Sequence, residues 1–113
     1  HGLEVALGCD ASVMLDYAKL PLYPAALDMY ARGETTGSNQ ANRQLVEGKL
    51  DLQTSLAKAE EELLYDPQTS GGLLLSLPAS QAGELMAKLS DAGVATVARI
   101  GEIVAGAARV AIR

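Results

Sequence analysis

The chain contains no tryptophan and no phenylalanine, and its only aromatic rings besides one histidine are four tyrosines. A core must therefore be aliphatic, and Leu and Ala together supply about a third of the residues. Cysteine occurs once, at Cys9, which excludes an internal disulfide. With a single histidine, His1, it also excludes a Cys/His zinc site. A lone thiol without a histidine partner reads as a packing residue rather than a nucleophile. His1, at a chain end, gives no basis for a Ser/His/Asp triad. Positive charge is scarce too: 9 Lys and Arg stand against 14 Asp and Glu, for a net charge of −5. No basic cluster is present, so no nucleic-acid partner is expected. No uninterrupted apolar run is longer than Leu73-Leu74-Leu75, far short of a membrane span. No signal peptide is visible, so no membrane partner and a cytoplasmic setting are expected.

What is present is a globular composition, 49% hydrophobic and 20% charged, over 113 residues. That length predicts one domain, 1–113. The chain opens at His1 rather than methionine, in a stretch that reads as the tail of a helix ending near Gly8, so a piece of a longer protein is expected. Val13, Leu15 and Tyr17 alternate with more polar neighbours, as in a half-buried strand. Pro24 suits the first turn of a helix over 25–32, closed by Gly33. Ser38 or Asn39 is placed to cap a helix through Leu45. Residues 48–54 read as irregular. A helix over 55–64 follows, started by Thr54 or Ser55, with Glu60, Glu61 and Glu62 mostly exposed.

The continuous run Leu73–Leu77 reads as a central strand buried on both faces. Ala82, Leu85, Met86 and Leu89 form one face of a helix over 80–92 ended by Gly93. Two strands, 95–104 and 107–113, then form a hairpin turning at Ala105-Gly106-Ala107. Strands separated by helices predict an α+β fold with a mixed sheet.

Two segments carry candidate chemistry. In Asp66-Pro67-Gln68-Thr69-Ser70-Gly71-Gly72, the Asp-Pro pair starts a turn and the glycines let adjacent amides converge on an anion. The stretch has no lysine and precedes a strand rather than a helix, so it is not a Walker A loop. A structural turn and a substrate or anion contact both remain open for it. The second segment, Gly37 to Arg43, offers side-chain amides and one guanidinium at a helix start. Asn42 and Arg43 could hold a phosphate there, or Arg43 could be a solvated cation beside a capped helix. Asp16 reads as a strand-end carboxylate. No catalytic residue and no metal ligand stands out.

The run from Leu64 to Leu74, with Asp-Pro-Gln-Thr-Ser-Gly-Gly at its centre, resembles a signature of the selenophosphate synthetases (selenide, water dikinases). Val13–Pro24 resembles that family's strand and Leu-Pro segment. Ile100–Val104 with Arg109–Arg113 resembles its closing strands, and His1-Gly2-Leu3 the residues after its interdomain linker. Where the family often has Gly-Gly-Thr ahead of an Arg-Asn pair, this chain has Gly37-Ser38-Asn39-Gln40-Ala41-Asn42-Arg43, with Asn42 at the family's Asn.

The resemblance implies a carboxyl-terminal domain of a two-domain enzyme, of the aminoimidazole ribonucleotide synthetase superfamily. The implied fold is an α/β/α sandwich, partly ferredoxin-like. The implied parent reaction converts ATP, selenide and water to selenophosphate, AMP and phosphate with Mg2+. The implied partners are the absent amino-terminal ATP-binding domain and a second copy in a homodimer. The family's reactive Cys or selenocysteine, catalytic Lys and metal-binding Asp residues precede this chain, and Cys9 does not match them. The isolated chain is therefore expected to be inactive and to hold neither Mg2+ nor ATP tightly. Two other functions stand beside this one: a stand-alone small-anion or regulatory module, and a scaffold that associates weakly through a former interdomain face.

Overall fold

The computed structural model describes residues 1–68 and 70–113. In chain order the elements are α1 (Gly2–Cys9), β1 (Ser12–Leu15), a 3-10 turn (Tyr17–Lys19), α2 (Ala26–Ala31), α3 (Asn39–Leu45), β2 (Leu50–Leu52), α4 (Lys58–Leu63), α5 (Ala79–Asp91), β3 (Gly101–Val104) and β4 (Arg109–Ile112). The strands form one sheet in the order β2-β4-β1-β3. β4 runs parallel to both β1 and β2, while β3 is antiparallel to β1. The sheet is therefore mixed and the class α+β, as expected. β4 lies between β1 and β2, so the connection that joins those two strands passes over it.

The register places Val13 and Leu15 of β1 beside Val110 and Ile112 of β4, which in turn lie beside Leu50 and Leu52 of β2. Residues two apart on a strand share a face, so these six side chains line one side of the sheet. Leu3 of α1 joins Val110 and Ile112 as the buried centre, with Leu15, Tyr17, Val46, Leu50, Leu56 and Leu64 packed around it. The other side of the sheet includes Ala111, 1% exposed. Glycine at 101 is required by close approach. A Cβ there would lie 2.0 Å from the Met14 carbonyl oxygen, so β3 could not pair with β1.

Several sequence expectations are corrected. The last two strands are not a hairpin, because β1 lies between them. They are also shorter than expected, at four residues each. Local alternation identifies strands but cannot show that a strand from the other end of the chain inserts between them. Leu50–Leu52 is not irregular: it forms edge strand β2, paired with β4. Its three residues are too few for periodicity to register. The Leu73–Leu77 run joins no sheet among the described residues. Leu73 is 89% exposed, and the sheet's two central positions belong to β4 and β1.

α2 starts one residue late, after Ala25 in the left-handed region at φ 64°, so Pro24 lies outside its first turn. α4 starts at Lys58, where the Glu60 carboxylate accepts from the Ala57 N–H at 2.7 Å and replaces Thr54 or Ser55 as the start signal. α5 keeps its expected half-buried stripe of Ala82, Leu85, Met86 and Leu89, with Gly93 just past its end. No helix is long and apolar enough to cross a membrane among the described residues.

Candidate functional site

The candidate loop leaves the end of α4, and its first residue is held by a side chain of α2. Asp66 is half-buried, and its Oδ1 accepts a hydrogen bond from the Tyr30 hydroxyl of α2 at 2.5 Å. Its Oδ2 accepts from the Gln68 side-chain amide. Burial first, and the Asp66 carboxylate second, push the Tyr30 phenol above its ordinary pKa. The Tyr30 oxygen in turn accepts from Nδ2 of Asn39, at the start of α3, at 3.2 Å.

Asn39 is 2% exposed, yet every polar atom of its amide is partnered. Nδ2 also donates to the Glu62 carbonyl at 3.2 Å, and Oδ1 accepts from the Thr36 N–H at 3.1 Å and the Thr36 hydroxyl at 2.6 Å. One turn further along α3, the Asn42 amide donates to the Tyr65 carbonyl at 2.8 Å, one residue before Asp66.

Arg43 completes the clamp. Its guanidinium donates to Glu61 at 2.6 Å and Glu62 at 2.7 Å, and lies 4.1 Å from the Tyr65 ring centroid. Those two carboxylates, Glu62 foremost, hold the guanidinium's pKa further above its ordinary value. Arg43 is thus a paired cation, its side chain 43% exposed, and Glu61 and Glu62 are not a solvated face: their side chains are 30% and 21% exposed. Both terminal nitrogens of Arg43 are thus engaged by carboxylates.

The rest of the loop is open. Gln68, Ser70, Gly71 and Gly72 are exposed, and Thr69, the remaining candidate, lies outside the described residues. Gln68 arches over Gly71 so closely that a Cβ at 71 would lie 2.9 Å from its Oε1. Two open cavities, of about 500 and 400 Å3, flank the cluster beside Arg43 and Tyr30. Neither is lined by any residue from Ser70 to Gly72.

Among the described residues no three His, Cys, Asp or Glu side chains gather to hold a metal ion, and both Asp66 oxygens already accept hydrogen bonds. Cys9 is exposed at the end of α1, where its thiol donates to the Val5 carbonyl, so it is not a packing residue. His1 pairs with Glu4 at 2.8 Å, far along the chain from the loop.

Of the eight residues the sequence singled out, the structure brings Asp66, Gln68, Asn42 and Arg43 into one cluster. Tyr30, Asn39, Glu61, Glu62 and Tyr65 belong to it as well and were not anticipated as site residues. Tyr30 stands at a helical apolar spacing and Asn39 at a capping position, so each has a sufficient local explanation that conceals its long-range contact.

The chain is similar in sequence to a class of proteins named as dikinases. Over nearly its whole length it is similar to selenide, water dikinases. It is 39% identical to the selenide, water dikinase of Pseudomonas straminea over 110 residues, which is 97% of this chain and 31% of that protein. It is 35% identical to that of Paraburkholderia xenovorans over 99% of the chain and 32% of the relative. For Pelobacter propionicus the identity is 33%, over 92% of the chain and 30% of the relative. The chain thus spans about a third of the length of the curated relatives it matches. No family model matches it.

Proposed function

We propose that this chain is the C-terminal domain of an ATP-dependent enzyme that converts ATP, selenide and water to selenophosphate, AMP and phosphate. The observation that carries this is the match to selenide, water dikinases along 97% of the chain. An N-terminal domain would bind ATP with Mg2+, and the full enzyme would work as a homodimer in the cytoplasm. Phosphoryl transfer needs charge neutralisation and in-line positioning. A domain of net charge −5 with its one clustered guanidinium already paired supplies neither.

Its own part is to present the Asp66–Gly72 loop. The clamp from Tyr30, Asn39 and Asn42 fixes the loop's start. Its glycine end stays exposed and lines neither of the two cavities, as suits a segment that completes a cleft on another domain. The amides around Gly71 and Gly72 are the groups offered to phosphate oxygens there. A self-sufficient anion module is the weaker reading, because the matching relatives carry this segment as only about a third of their length.

A chimera tests the proposal. The matching third of the Pseudomonas straminea enzyme is replaced by this chain, and selenide-dependent AMP and phosphate release is measured. Activity is expected in the chimera and none in the isolated chain. A folded but inactive chimera, or selenophosphate made by the isolated chain, overturns the proposal.

A further inference from the structure

The cluster that grips the loop has a direction, and one buried residue sets it. The Asn39 amide is oriented by two main-chain groups: the Thr36 N–H can only donate to Oδ1, and the Glu62 carbonyl can only accept from Nδ2. Nδ2 must therefore face the Tyr30 oxygen and donate to it. With its lone pair engaged, the phenol directs its proton to Asp66. An ionised carboxylate only accepts, so Gln68 has to present its NH2 to the second Asp66 oxygen. That leaves Gln68 Oε1 turned to Gly71, where a Cβ would lie 2.9 Å from it.

We propose that Asn39 is a positioning residue: it fixes the polarity of a hydrogen-bond chain through Tyr30 and Asp66 that holds Gln68 over Gly71. The proposal deepens the functional reading above, since it rests on 66–72 being the working loop. Its consequence is preorganisation. The loop meets its ligand with the amides near Gly71 already oriented, so less ordering is needed on binding.

The test uses amide spectra of the 113-residue chain, which report on the loop whether or not the parent enzyme is active. Tyr30→Phe removes only the hydroxyl. It is expected to displace the Gln68 side-chain amide and the Gly71 amide signals while leaving those of Val13, Val110 and Ile112 in place. Asn39→Asp keeps the acceptor used by Thr36 but turns the donor into a second acceptor, drawing the phenol proton away from Asp66. It is expected to give the same displacement. Thr36→Val removes a hydrogen bond to Asn39 without changing the amide's direction, so the loop signals should stay put even if the melting temperature falls.

Unmoved Gln68 and Gly71 signals in Tyr30→Phe, or equal displacement by Thr36→Val, overturn the positioning role. Should Asn39→Asp fail to fold, Tyr30→Phe and Thr36→Val decide the matter. The chimera assay stands apart from this result, so the two failures are distinguishable.

Discussion

Arg113 reaches back across 97 positions to Asp16, its Nε donating to Oδ1 at 2.5 Å, and in doing so ties the end of β4 to the end of β1. Lys19 approaches the other oxygen of Asp16 at 2.6 Å. These two cations, Arg113 foremost, hold the Asp16 carboxyl at about 2. The folded state thus binds this proton less readily than the unfolded chain, where an aspartate titrates near pH ~3.9. The stabilisation is fully present above about pH 4 and is lost as pH falls toward 2. Asp16→Asn should lower the melting temperature at pH 7. The gap between variant and parent should close between about pH 4 and pH 2. A gap of constant size over that range would contradict the ion pairing.

Arg43→Met retains the stem over Tyr65 but strands Glu61 and Glu62 beside each other. Partial exposure screens these charges, so the expected loss is about 1 kcal/mol in urea unfolding, shrinking with added salt. Arg43→Lys should recover only part of it, because an ammonium cannot fork to two carboxylates as a guanidinium does.

Tyr17 packs against the core, and its hydroxyl is buried with no hydrogen-bond partner among the described residues. Burial first, and the Glu60 charge second, push the phenol's pKa up. Tyr17→Phe removes the orphaned group and keeps the ring, so a gain of about 1 kcal/mol is expected by chemical denaturation. A comparable loss would mean that the hydroxyl is satisfied in solution.

Leu73→Asn discriminates between the sequence expectation and the structure. A residue 89% exposed should tolerate the change within about 0.5 kcal/mol. A leucine in a central, doubly buried strand would lose about 3 kcal/mol or more. The same variant should also weaken any self-association seen by light scattering.

The helices were largely legible because their signals are local. The four-residue stripe of α5 and the glycine after it are read without knowing what the helix packs on. The sheet was only half legible. Alternation in Val13–Leu15 and Arg109–Ile112 marked strands, but pairing is a contact between distant segments. Nothing in Ile103 or Val110 says that Val13 stands between them. Leu73–Leu77 failed in the opposite direction, since apolar density indicates a wish for burial and not a partner.

At the site, the Asp-Pro turn and the glycines were visible, and so were Asn42 and Arg43. The contacts that organise them were not. Asn39 looks like an ordinary cap until Tyr30 and Glu62 are seen on either side of it.

The placement of β1 between β4 and β3 bears on how the chain is made. A ribosome releases β1 well before β4, so neither parallel pairing of the sheet can form until the whole stretch between them has emerged. Until then Leu3, Val13 and Leu15 lack the strand they pack beside, and the nascent chain depends on slow closure between its two ends. Removing the few residues of β4 would take away not an edge but the strand on which both β1 and β2 are aligned.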